Sequence, residues 1–151
     1  MMDTILVVCI GNICRSPMAE ALLKRTLPGK TILSAGLYAL IGSPADPNSI
    51  AVMDEHGFDI RSHRARQLTS VLVNSADLIL TMDMEQKHII ETNYSTAKGK
   101  VRRLGESGKF NIDDPFQKGI GSFHASFALI ERGINDLKSQ LLAIGQYHLY
   151  S

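Results

Sequence analysis

Cysteine is scarce in this chain of 151 residues: there are two, Cys9 and Cys14, too few and too close together for a disulfide framework or a four-ligand zinc site. Thiol chemistry is what remains open to them. A surplus of charge is also lacking. Sixteen basic residues against fifteen acidic ones leave a formal +1, which excludes the broad positive field of a dedicated nucleic-acid or membrane-surface binder, so any anion site has to be local. No apolar run approaches the ~18 residues of a membrane span. Ile5–Val8 is too short for the core of an export signal and has no basic stretch before it. Neither nucleic acid nor a membrane is expected as a partner, and the expected location is cytoplasmic. His56, His88, His124 and His148 show no metal-ligand spacing, and neither a metal nor another cofactor is expected. Repeats, linkers and low-complexity tracts are missing too.

What is present has the balance of an ordinary globular protein, 44% hydrophobic and 21% charged, at a length suited to a single domain over 1–151. Ile5–Val8 is a β-branched run, and Met18–Leu27 carries helical spacing at Ala19, Leu22, Leu23 and Leu27. Thr31–Ala35 reads as a second strand, Ser49–His56 as a short helix ended by Gly57, and Leu78–Met82 as a third, buried strand. Val101–Leu104 is the candidate fourth strand. Gly105–Gly121, rich in Gly, Asp and Pro, is expected as a long loop, and Phe123–Ile144 as an amphipathic closing helix. Strands alternating with helices predict an α/β fold, a parallel sheet covered on both faces with its ligand site at the carboxyl ends of the strands.

The segment Cys9-Ile10-Gly11-Asn12-Ile13-Cys14-Arg15-Ser16-Pro17 lies between the first strand and the first helix, where backbone amides converge into an anion cradle. A cysteine at its start and an arginine six residues on allow the loop to curl around a phosphate, with the Arg15 guanidinium gripping two oxygens. Gly11 is expected to permit the close turn. Amides, helix dipole and Arg15 all favour negative charge, so Cys9 is expected to react as a thiolate, with the Ser16 hydroxyl donating to its sulfur. A lone cysteine and arginine at this spacing would as readily be a buried small hydrophobe and a solvated first-turn residue. The surrounding strand, helix and Ser16-Pro17 favour the cradle.

Together with Ser34-Ala35-Gly36, His63-x-Ala65-Arg66-Gln67-Leu68, Thr81-Met82-Asp83 and Asp113-Asp114-Pro115-Phe116, this loop resembles the signature of the low-molecular-weight protein tyrosine phosphatases. The resemblance extends over nearly the whole chain. It implies a single-domain three-layer sandwich with a four-stranded parallel sheet and a phosphate-binding loop after strand 1. It also implies hydrolysis of phosphotyrosine through a phosphocysteine on Cys9. A tyrosyl phenol leaves poorly unless protonated, and the family's acid precedes a proline, which maps onto Asp114, with Asp113 the lesser neighbour. Ile10, Gly11, Asn12, Ile13, Cys14 and Ser16 would bind phosphate. Asn12, Ser34 and His63 would hold the loop in shape, and Asp83 would either orient it or cap a following helix. Cys14 is a candidate partner for Cys9 in a reversible disulfide.

Leu40 stands where eukaryotic members often carry an aromatic residue, and Phe116 replaces the tyrosine after Asp-Pro, so both are expected at the pocket mouth. The segment Leu37–Gly42 looks most like that of bacterial phosphatases acting on autophosphorylated tyrosine kinases that control capsule or exopolysaccharide export. Such a kinase is the expected phosphotyrosine protein partner. Arsenate reductases of this architecture need further cysteines, and none follows Cys14. Protein arginine phosphatases share a phenylalanine after Asp-Pro but typically have threonine where this loop has Ile13. A binding module without turnover would be expected to have lost Cys9, Arg15 or Asp114.

Overall fold

A computed structural model describes residues 2–150, with side chains described through Gly145. Strand β1 (Thr4–Cys9) is aliphatic from Ile5 to Val8 because both of its faces are covered. Ile5, Val7 and Cys9 face one core, with Leu23, Phe123, Phe127 and Ile130, while Leu6 and Val8 face a second, with Val73, Ile90 and Ala97. The first core is closed by helices α1 (Arg15–Thr26), α2 (Pro47–Glu55) and α5 (Ile120–Tyr150), the second by α3 (Ser70–Ser75) and α4 (Met84–Asn93). The result is the expected three-layer sandwich.

Strands β2 (Thr31–Gly36), β3 (Leu78–Thr81) and β4 (Val101–Arg103) complete a wholly parallel sheet in the order β2-β1-β3-β4. β1 is central, in register with β2 from Thr4 opposite Thr31 to Cys9 opposite Gly36, and with β3 at Ile5–Val7 opposite Leu78–Leu80. The chain leaves β1 toward β2 on one side and later returns to β3 on the other. That reversal opens a crevice at the carboxyl end of β1, and Cys9 is the last residue of that strand.

The observed elements match the expected ones with shifted ends. α1 starts at Arg15, so the arginine and Ser16 belong to its first turn. α2 starts at Pro47, where the Asp46 side chain caps the Asn48 amide. α3, α4 and the short 3-10 turn Ser95–Ala97 go beyond what periodicity indicated. α3 is six residues long and buries Val73 alone, and α4 buries Gln86 and Ile90 only, too little apolar surface for a legible stripe. No helix or strand lies between Arg103 and Ile120.

Gly36, at the end of β2, decides how closely that strand's exit approaches the loop after β1. A Cβ there would stand 2.6 Å from the Ile10 carbonyl oxygen, 3.0 Å from the Asn12 nitrogen and 3.1 Å from the Ala39 Cα. All three are backbone atoms and cannot step aside cheaply. Gly36→Ala is therefore expected to cost about 1–3 kcal/mol, measured as a lower urea midpoint at unchanged slope. An unchanged midpoint would show that the two backbones have room to separate.

Candidate active site

The peptide unit is trans and planar, so a carbonyl turned one way sends the next amide the other way. Along Cys9–Cys14 every carbonyl is held outward by a different donor. The Leu37 amide bonds Cys9 O at 3.0 Å, Tyr38 bonds Ile10 O at 2.9 Å, Leu40 bonds Gly11 O at 3.0 Å, and Asp46 bonds Ile13 O at 2.8 Å. A ring nitrogen of His63 lies 2.7 Å from Asn12 O, and the buried Ser49 hydroxyl donates to Cys14 O at 3.1 Å. Six successive N–H groups, of residues 10–15, are thereby turned to the inside of the loop, and they have no acceptor among the described residues. With the amino end of α1 they form a concave field of positive potential above Cys9. Asn12 O can only accept, so His63 carries its proton on Nε2.

Inside the loop one fully buried residue fixes the polarity of the rest. Asn12 accepts from the Arg66 amide through Oδ1 at 2.9 Å, and its Nδ2 donates to Ser16 Oγ at 2.7 Å and Ser34 Oγ at 3.0 Å. Since Ser16 accepts from Asn12, its own proton is free for Cys9 Sγ, 2.9 Å away. Ser34 in turn donates to the Glu20 carboxylate. The order Glu20, Ser34, Asn12, Ser16, Cys9 leaves the Ser16 proton free to donate to a Cys9 thiolate. One expectation needs correction. The left-handed residue of the loop is Asn12, at φ 59°, whereas a Cβ on Gly11 would meet only side chains at 3.8 Å or beyond, so Gly11 is not what permits the turn.

Arg15 is buried, its side chain 3% exposed. Nη1 donates to Ile112 O at 2.8 Å, while Nε, on the opposite side of the guanidinium, has no partner. Nη2 lies 3.8 Å from Asp114 Oδ2. The Nε–Nη2 edge is the one that can hold two oxygens of a single anion. Ile112, itself buried, gives its amide to Met82 O at the end of β3 and its carbonyl to Arg15. This fastens the long loop so that Asp114 faces the cradle, 45% exposed. Asp113 is exposed and lines a different hollow.

A cavity of about 190 Å³ opens over Cys9. Ile10, Gly11, Ile13, Cys14 and Arg15 form its floor and sides, with Leu40 on one rim and Asp114 and Phe116 on the other. All but one of the site residues expected from sequence therefore either line it or hold the loop beneath it. The exception is Asp83, whose carboxylate caps the Gln86 amide at 2.8 Å and starts α4. The capping alternative stands, and no hydrogen bond runs from that side chain to the loop. Sequence reasoning missed Tyr38, which lines the rim beside Leu40, and also Glu20, Ser49 and Gln67. Glu20 and Ser49 read as ordinary helix residues because their partners are 14 and 35 positions distant, and Gln67 stands in a quoted motif with no role assigned, its partner being 28 positions away.

Comparison with known proteins finds relatives over nearly the whole chain. Residues 4–146 match the family model described as low molecular weight phosphotyrosine protein phosphatase. The probable low molecular weight protein-tyrosine-phosphatase EpsP of Ralstonia solanacearum is 52% identical over 145 residues, covering 96% of this chain and all of that one. Among solved structures, the tyrosine phosphatase Wzb of Escherichia coli K30 in complex with sulphate superposes with a TM-score of 0.90 at 37% identity, over 93% of this chain and 99% of the other. The YwlE arginine phosphatase of Geobacillus stearothermophilus does so at 0.91 and 36%, over 97% of each.

Cys14, buried under the loop, differs from Cys9 in its surroundings. Burial pushes its thiol far above the ordinary value, Asp46, Cys9 and Asp114 push it the same way, and Arg15 opposes them. An unfolded chain ionises this thiol near ~8.5 while the folded chain keeps it protonated. Above that pH the unfolded state binds fewer protons, so stability falls as pH rises. Between pH 9 and 10 wild type is expected to lose roughly 1 kcal/mol more than Cys14→Ala in urea unfolding. Parallel losses in the two proteins would show that the fold does not retain this proton.

Proposed function

The chain belongs to the low molecular weight phosphotyrosine protein phosphatase family, and on that premise we propose that it hydrolyses phosphotyrosine through a covalent phosphocysteine on Cys9. The observation that carries this reading is the ring of six inward amides with Cys9 at its base and the free edge of Arg15 beside it. The amides and Arg15 take the three non-bridging phosphate oxygens, whose charge they stabilise as it spreads in the transition state. The Cys9 thiolate attacks phosphorus as the P–O bond to the tyrosyl oxygen breaks, and Asp114 gives its proton to the departing phenol. Asp114, now a carboxylate, takes a proton from water. The water oxygen attacks phosphorus, the S–P bond breaks, and inorganic phosphate leaves. Ser16 donates to the sulfur both when it attacks and when it departs.

The apolar mouth supports an aromatic phosphoester. Ile13, Leu40, Tyr38 and Phe116 surround a space suited to a phenyl ring, and a short alkyl phosphate could not bridge it to Cys9. The likeness to an arginine phosphatase structure supports a second reading, phosphoarginine, but the branched apolar Ile13 suits a ring better than a guanidinium. For the physiological partner we favour an autophosphorylated tyrosine kinase of a bacterial exopolysaccharide or capsule system, met in the cytoplasm by a single catalytic domain over 1–151. The resemblance in Leu37–Gly42 supports that choice. No described helix is long and apolar enough to cross a membrane. Burial favours the protonated Cys14 thiol, which disfavours it as the thiolate that would trap an oxidised Cys9.

Cys9→Ser is expected to abolish turnover of para-nitrophenyl phosphate while still binding phosphate, and appreciable turnover would sink the covalent mechanism. Asp114→Asn is expected to slow phosphotyrosine hydrolysis by roughly 10²–10⁴ fold, and to slow far less an aryl ester whose leaving group needs no proton. Equal losses on both esters would remove Asp114 from the acid role. Phosphoserine peptides should be poor substrates, so rates matching those on phosphotyrosine would refute the aromatic mouth. Ile13→Thr tests the second reading, because phosphoarginine turnover should rise in that variant if the side chain is what excludes it.

A further inference from the structure

The rim loop Leu37–Gly42 is fastened on two sides. Its inner side gives the amides of Leu37, Tyr38 and Leu40 to the cradle carbonyls. On its other side its far end is tied by the Gly42 amide to Ala65 O at 2.9 Å, and its middle is held by one side chain, Gln67. Oε1 accepts from the Ala39 amide at 2.9 Å, and Nε2 donates to Leu37 O at 2.7 Å. An amide N–H only donates and a carbonyl only accepts, so this orientation of the side chain is the one its partners allow. The backbone around Gln67 is itself fixed, since Gly36 donates to Arg66 O and Leu68 donates to Gly36 O. Gln67 thus reaches from a segment anchored on the end of β2 and spans the residues that carry Tyr38 and Leu40 to the cavity.

We propose that Gln67 is a positioning residue for substrate specificity, fixing the Tyr38–Leu40 rim against which an aryl group packs. The proposal rests on the phosphotyrosine reading above. It separates two ligands that share the cradle. Inorganic phosphate needs the amides and Arg15 alone; the carbonyls of Asn12, Ile13 and Cys14 are held by His63, Asp46 and Ser49, and those of Cys9, Ile10 and Gly11 by the backbone amides of Leu37, Tyr38 and Leu40, bonds in which the Gln67 side chain takes no part. A phosphotyrosine needs the rim as well.

The experiment compares wild type with Gln67→Met, which removes both hydrogen bonds at similar volume, and Gln67→Glu, which keeps an acceptor for Ala39 and loses the donor to Leu37. For each, KM and kcat on a phosphotyrosine peptide, Ki for inorganic phosphate and thermal unfolding are measured. Gln67→Met is expected to raise KM roughly five- to tenfold, with kcat and phosphate Ki within about twofold of wild type. Gln67→Glu should fall between in the ratio of KM to Ki, a ratio that cancels the added charge because it repels both ligands alike. A wild type without phosphotyrosine hydrolysis would overturn the underlying reading and this role with it. With an active wild type, three results would overturn the role of Gln67 alone: an unchanged ratio, a Ki that rises in step with KM, or the failure of both variants to fold.

Discussion

Everything distinctive about this molecule depends on six carbonyls being turned outward. A loop that points six consecutive amides at one place gives up the pairings those groups would otherwise have, at about 1–3 kcal/mol for each buried donor left unmatched. Left to itself the loop would flip peptides and pair internally. It does not, because each carbonyl is claimed from outside: three by the exit of β2, one by His63, and two by the amino end of α2. These donors come from three separate stretches of chain. The parallel sheet matters to the site because it delivers those stretches to the carboxyl end of β1.

Asn12 transmits the same constraint inward. A left-handed asparagine costs on the order of 1–3 kcal/mol, and the position is held by hydrogen bonds to its side chain from Arg66 and to Ser16 and Ser34, with a fourth on its carbonyl from His63. Because an amide nitrogen only donates, the direction of every later bond follows from it. Glu20 closes the far end as an acceptor, so Ser34 cannot reverse. A thiolate only accepts, and the network leaves the Ser16 proton free for it. Arg15 shares the logic at a distance, its Nη1 committed to Ile112 and its other edge left for an anion.

The cradle was legible in the sequence because it is contiguous. Cys9, Arg15 and Ser16 sit within eight residues of one another, and a strand before and a helix after fix what such a run can do. The aliphatic run of β1 and the body of α2 were legible for the same local reason, while the start of α2 at Pro47, capped by Asp46, was not. His63 was legible through its motif, but Ser49 was not, since it acts on a carbonyl 35 positions away and nothing in its own neighbourhood distinguishes it; the bond from Gln67 to Leu37 O, 30 positions away, was hidden for the same reason of distance. Gly11 was credited with a turn that Asn12 makes, because glycine is the commoner left-handed residue and the bonds that support Asn12 are all long-range. α3 left no period because it buries a single side chain, and α4 was signalled only by its cap, Asp83, since it buries too few side chains to imprint one.

The two halves of the site differ in how firmly they are held, and the difference suits their proposed tasks. The phosphate side is buried and fixed by bonds at every peptide. Asp114 is 45% exposed; its carboxylate accepts from the Phe116 amide and otherwise lies 3.8 Å from Arg15. Ile112 is the pivot between them, because it is the residue that ties the acid's loop both to the end of β3 and to the arginine. Geometry at phosphorus tolerates little error, since attack must be in line with the leaving oxygen. In the proposed reaction Asp114 would serve two partners in turn, a departing phenol and then an arriving water. A fixed anion site beside a lightly held carboxylate meets both demands within one loop-to-loop contact.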